Sequence, residues 1–178
     1  RSIHMLRAEM PGPVVGKLVP KAKQTARLLY IIYIALTILE FVLLLFGGMP
    51  AFESAIHTMG TAGTGGFGVY ADSIASYSPY IQWVITVFMF IFSINFNMFF
   101  FILTKRFKPA IKSEEFWTYF GIVVTSILLV ALNINSMYSS FGESLRHSAF
   151  QVTSFVSTTG YTTVNQNLWP SFSKCILV

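Results

Sequence analysis

Charge is what this chain has least of: Asp, Glu, Lys and Arg together make 11% of its 178 residues, against about a quarter in an ordinary soluble domain. Such a shortage removes the polar shell that a water-facing fold requires. Cysteine is nearly absent too. Cys175 stands alone, so no internal disulfide can form, and its place in an apolar run predicts a packing role. His4, His57 and His147 fall in three separate segments with no ligand-spaced Cys, Asp or Glu beside them, an arrangement that does not build a zinc site. The chain has no Gly-x-Gly-x-x-Gly fingerprint and no Walker loop, so it brings no nucleotide site and no cofactor of its own. Nor does it carry a nucleophile, base and orienter in combination, and the expectation is that it is not an enzyme. Arg1-Ser2-Ile3-His4 leads into charged, proline-rich sequence without the layout of a signal peptide.

What the chain has in abundance is apolar length. Hydrophobic residues make 54% of it and its mean hydropathy is +0.63, the composition of helices that face lipid. A hydrocarbon layer about 30 Å thick is crossed by roughly 20 apolar helical residues. Leu28 to Phe46, Tyr80 to Leu103 and Phe116 to Leu132 are stretches of that kind. A fourth run opens at Trp169-Pro170 and reaches only Val178, which predicts a longer protein extending in both directions. The expected class is an all-α, multi-pass membrane protein of the plasma membrane.

The basic residues are unevenly spread. Arg1, Arg7, Lys17, Lys21, Lys23 and Arg27 precede the first long stretch, and Lys105, Arg106, Lys108 and Lys112 separate the second from the third. Positive residues mark the cytoplasmic side, which puts residues 1–24 and 105–115 there. That topology also accounts for the net charge of +5 without a nucleic-acid partner.

Gly47-Gly48-Met49-Pro50 ends the first long helix, and Phe52 to Thr61 follows as a helix too short to span, with Glu53 complementing its amino-terminal dipole. Leu145 to Phe155 takes the same place after the third stretch, with residues 142–144 as an outer loop. Both short helices are expected to be re-entrant. Three polar residues interrupt the long helices. Glu40 is a carboxylate within hydrocarbon, placed either to support a neighbouring element or to line an ion path. Asn95 and Asn97 lie in a Phe-rich run and are expected to face other helices or an inner cavity.

Each short helix runs into a copy of one pattern. Thr64-Gly65-Gly66-Phe67-Gly68 and Thr158-Thr159-Gly160-Tyr161-Thr162 share Thr-x-Gly-aromatic, and aligning Gly66 with Gly160 also aligns Ser54-Ala55 with Ser148-Ala149. An internal duplication is implied. Irregular backbone at membrane depth survives only where protein or water satisfies it, so both segments are expected to line something wet. Gly66 and Gly160 permit torsions closed to other residues and let successive carbonyls point to one axis. Rings of carbonyls replace the hydration shell of potassium. The candidate ion-binding set is therefore Thr64, Gly65, Gly66 and Phe67 with Thr158, Thr159, Gly160 and Tyr161, and the aromatic side chains of Phe67 and Tyr161 are expected to pack outward as cuffs.

With Met5 to Pro13 as connector, Thr64-Gly65-Gly66-Phe67 and Thr158-Thr159-Gly160-Tyr161, the chain resembles the TrkH/KtrB superfamily of potassium uptake proteins, with the connector favouring the TrkH type. The resemblance covers essentially all residues. It implies repeated units of helix, re-entrant pore helix with filter loop, and helix, four to a subunit. On that reading residues 1–24 are a cytoplasmic connector, 25–104 the second unit with filter 64–68, 105–115 a cytoplasmic loop and 116–178 part of the third unit with filter 158–162. It further implies potassium as the substrate, the remaining pore units as partners, a homodimer, and a cytoplasmic regulatory subunit that binds nucleotide. Two other readings stay open: a separate two-helix-type cation channel assembled by oligomerisation, and a non-transport membrane scaffold in which the re-entrant loops only pack.

Overall fold

A computed structural model describes residues 22–95, 98–99 and 114–177. Residues 1–21 of the expected connector, most of the 105–115 loop and Asn97 lie outside the described residues, while residues 22–24 already belong to the first helix. The elements are α1 (Ala22–Phe46), α2 (Ala51–Ala62), α3 (Pro79–Ser93), α4 (Glu114–Ile134) continued by a 3₁₀ turn (Asn135–Met137), α5 (Phe141–Val156), a second 3₁₀ turn (Gln166–Leu168) and α6 (Ser171–Leu177).

Among the described residues, α1 and α4 are each long and apolar enough to cross a membrane, as the apolar pattern predicts, whereas α3 is shorter. Their outward residues bear this out. Tyr30, Ile31, Ile38 and Leu39 on α1, and Ile122 and Leu132 on α4, are more than half exposed, an apolar surface that suits lipid and not water.

Two boundaries differ from expectation. The run from Tyr80 does not continue as one helix to Leu103: α3 stops at Ser93, and Ile94 is extended at φ −74°, ψ 144°. Ser93 turns its hydroxyl back to the Phe90 carbonyl at 2.8 Å and meets the Tyr119 hydroxyl at 2.6 Å, the local competition by which a serine unsettles a helix end. Asn95 follows in the break and donates to Glu115 at 3.3 Å, so it faces another element as expected. The second difference is the start of α5. Residues 142–144 are its first turn and not a loop, because Ser140 is extended and its Oγ accepts from Glu143 N at 3.3 Å. Ser140 and Glu143 have the spacing of a capping box, a signal present in the sequence.

Packing joins the two copies. α2 lies against α1 and α3, while α5 lies against α3 and α4, so α3 is the shared wall. The central cluster combines Leu44 and Met49 beside α1 and α2, Ile81, Ile85 and Met89 of α3, and Phe150 and Tyr161 of the second copy. A second cluster gathers Val123, Val130 and Ile134 of α4 with Val152, Trp169 and Leu177. Trp169 closes it by donating its Nε1–H to the Tyr138 hydroxyl at 3.2 Å. Cys175 does not pack as expected but is exposed on α6.

Phe150 is fully buried where the two copies meet on α3. Phe150→Ala in the full-length protein should cost about 3–5 kcal/mol of stability, read as a lower melting temperature in detergent; an unchanged melting curve would contradict this account of the core.

Candidate functional site

The two Thr-x-Gly-aromatic segments begin where α2 and α5 run out of helical hydrogen bonds. In the first, Gly63 N bonds to Met59 O, Thr64 N to Thr61 O, and Gly65 N and Gly66 N both to Gly60 O, at 2.9, 3.1, 2.8 and 3.4 Å. In the second, Ser157 N bonds to Thr153 O, Thr158 N to Phe155 O, and Thr159 N and Gly160 N both to Ser154 O, at 2.8, 3.0, 3.0 and 3.5 Å. Each bond of one copy maps onto a bond of the other at the offset that carries Gly66 onto Gly160.

Backbone torsions repeat as well. Gly66 and Gly160 take φ 63° and 84°, the left-handed region that glycine enters freely. Thr64 and Thr158 take φ 49° and 58°, and there sequence reasoning falls short, since a β-branched residue in this region is an outlier. Strain of about 1–3 kcal/mol at such residues collects at functional sites. Nothing in the pattern itself announces it, because only the glycines were expected to take unusual torsions.

The loops touch. A Cβ added to Gly66 would overlap the Thr159 carbonyl oxygen and crowd Gly160, whereas one added to Gly160 would meet nothing within 4 Å among the described residues. The aromatic pair behaves unequally as well. Tyr161 is fully buried, whereas Phe67 remains 74% exposed, so the expected cuffs divide into one inserted ring and one that turns outward.

Tyr161 reaches back to the first copy. Its hydroxyl donates to the Phe67 carbonyl at 2.8 Å and lies 3.3 Å from both the carbonyl and the Nδ1 of His57. The other imidazole nitrogen, Nε2, lies 3.2 Å from the Tyr77 hydroxyl. Tyr77 itself donates to Glu53 Oε2 at 2.7 Å, and Tyr70 donates to Oε1 at 3.0 Å. Burial, reinforced by the bond to Glu53, raises the Tyr77 phenol above its ordinary value, so it stays a donor. His57 and Tyr77 had no motif around them. Their partners are far away in sequence, and only the fold brings them together.

Glu40 lies behind this network. It is fully buried on α1 and both carboxyl oxygens lack a hydrogen-bond partner. It faces Thr61 of α2, whose hydroxyl donates instead to the His57 carbonyl at 2.8 Å. Nearer the chain surface the copies are tied once more: Ile74 N donates to Thr162 O at 3.0 Å, and Thr162 N to Ser73 Oγ at 3.2 Å. The eight candidate residues are thus gathered at one junction, with Glu40 behind it and Asn95 at the break after α3.

The profile of a family described as TrkH, cation transport protein, matches residues 1–178. The Trk system potassium uptake protein TrkH of Salmonella typhimurium is 33% identical over 181 residues, covering 99% of this chain. The Trk system potassium uptake protein TrkG of Escherichia coli is 28% identical over 98% of it. Among solved structures, the potassium transporter TrkH from Vibrio parahaemolyticus superposes with a TM-score of 0.81 at 29% identity, over 92% of this chain and 36% of that one. The chain spans 38% of the length of the Salmonella relative and 37% of the Escherichia one.

A methyl group at position 66 would meet the Thr159 carbonyl oxygen. Gly66→Ala should therefore lower the yield and melting temperature of the full-length protein by more than the about 1–2 kcal/mol of left-handed strain alone. An unchanged melting curve would contradict the contact between Gly66 and Thr159.

Proposed function

Because this chain belongs to the TrkH cation transport family, we propose that it forms part of a potassium uptake subunit and supplies two of the segments that ring the ion path. The observation that carries this reading is the duplicate geometry: two strained, left-handed segments with matching hydrogen bonds, each at the carboxyl end of a short helix, in contact with each other. Carbonyls of Thr64, Gly65 and Gly66, and of Thr158, Thr159 and Gly160, take over water's role around a dehydrating potassium ion, while those of Phe67 and Tyr161, also expected to face the ion, turn back to the hydroxyls of Tyr161 and Ser154. The carboxyl ends of α2 and α5 add partial negative charge beside the path.

In this reading α2 and α5 are re-entrant pore helices, and residues 25–104 and 116–178 belong to two consecutive helix, pore loop, helix units. The basic segments at 1–24 and 105–115 face the cytoplasm, and the filter loops open outward, where Glu53 and Asp72 lie. The remaining pore units of the longer protein complete the ring. A homodimer and a nucleotide-binding cytoplasmic partner complete the assembly that the sequence resemblance implies.

Glu40 serves as a buried support behind α2 rather than an ion ligand, since it is enclosed and offers no open face. Asn95 acts at the break after α3, between that helix and α4.

In proteoliposomes carrying the full-length protein, Gly66→Ser or Gly160→Ser should weaken potassium over sodium discrimination, and unchanged selectivity in both would remove the carbonyl-filter assignment. Glu40→Gln keeps the size of the side chain and removes its capacity to carry charge, so it should leave potassium flux near the parental level. Loss of flux from a stably folded Glu40→Gln protein would instead make the carboxylate part of the path.

A further inference from the structure

The equivalence of the two loops extends to a position where the sequences differ. Gly60 and Ser154 play the same backbone part, each accepting from two successive N–H groups of its loop. Ser154 has a further part. Its Oγ donates to the Tyr161 carbonyl at 2.7 Å and is buried, so the carbonyl of the second copy's aromatic residue is held by a hydroxyl.

Gly60 has no side chain to do the same for Phe67. Yet the Phe67 carbonyl also accepts from a buried hydroxyl, that of Tyr161, at 2.8 Å. A Cβ added to Gly60 would stand 3.0 Å from the Phe67 carbonyl oxygen and would overlap the Tyr161 hydroxyl. The tyrosine oxygen thus occupies the space a serine hydroxyl at position 60 would use, and reaches the same acceptor.

We infer that the aromatic residue's carbonyl in each loop is anchored by a hydroxyl at one equivalent site, supplied by Ser154 in the second copy and by Tyr161, through the gap at Gly60, in the first. Gly60, Ser154 and the Tyr161 hydroxyl are therefore positioning groups for the filter. The hydroxyl fixes the peptide plane that follows Phe67 or Tyr161, and so the end from which the preceding carbonyls of each segment are oriented. The Nδ1 and the carbonyl oxygen of His57 each lie 3.3 Å from the tyrosine oxygen. This inference deepens the proposed potassium filter and rests on that reading for its effect on transport.

The exchange of hydroxyls gives a test that a general packing role does not pass. Full-length protein is compared as the parent, Tyr161→Phe, Gly60→Ser and the double variant Gly60→Ser/Tyr161→Phe, with potassium and sodium fluxes measured in proteoliposomes and melting temperature in detergent. Tyr161→Phe leaves the Phe67 carbonyl without its donor, and Gly60→Ser collides with the tyrosine oxygen. Each single change should reduce the potassium to sodium flux ratio by about tenfold, the scale of one buried acceptor left unpaired. The double variant should recover most of the parental ratio and melting temperature, because the new serine donates where the tyrosine did. Ser154→Ala, which removes the other anchor without touching the contact between copies, should lower the ratio to a similar degree.

A double variant no better than the worse of its two parents overturns the inference, as does a Ser154→Ala protein with parental selectivity. Should the parent itself show no potassium-selective flux, the pore reading fails. The melting temperatures then decide the hydroxyl exchange separately: recovery in the double variant upholds the shared anchor site, and additive losses overturn it.

Discussion

Peptide groups that leave helical geometry at membrane depth must find partners in the protein or in enclosed water, because lipid supplies none. This single requirement organises the described residues. The amides of both loops fold back onto the last carbonyls of α2 and α5, and the carbonyls of Phe67 and Tyr161 each find a hydroxyl. The flanking polar residues then serve the same end: Gln82 donates to three carbonyls of the 74–77 segment and Gln151 to Val164. Gln82, Gln151 and Ser154 are thus buried polar side chains that satisfy backbone outside the helices.

That arrangement makes α3 more than a spacer. It carries apolar contacts to α1, α2 and α5 at once, and so holds two loops from different parts of the chain at the distance where Gly66 can meet Thr159. The network from Glu53 through Tyr77 and His57 to Tyr161 runs across the same junction. Rigidity there comes from directional bonds with defined partners, while the outer faces of α1 and α4 offer only apolar contact. A filter proposed to discriminate between ions by carbonyl geometry needs that division of labour.

Much of the site was legible because it is written locally. Thr-x-Gly-aromatic, the glycines and the short helices before them occupy consecutive positions, and apolar length alone locates α1 and α4. What could not be read depends on distant pairs or on backbone energy. The roles of His57, Tyr77 and Gly60 arise only when Tyr161 arrives from the other copy, about a hundred residues away, and no local pattern records that meeting. The left-handed threonines contradict their own propensity. The end of α3 at Ser93 was hidden by an apolar run that continues past it, whereas the start of α5 at Phe141 was visible in the Ser140 and Glu143 spacing.

The unequal surroundings of Gly66 and Gly160 have a consequence for symmetry. Gly66 is pressed against the neighbouring segment, while the corresponding side of Gly160 is open among the described residues. The contact between copies is therefore head-to-tail, one surface of the first meeting a different surface of the second. A contact of that kind is not closed by two members. It propagates as a rotation, and when the rotation is a simple fraction of a circle it ends in a ring. The join between these two loops is thus unlike a two-fold pair, in which the same residues would meet from both sides.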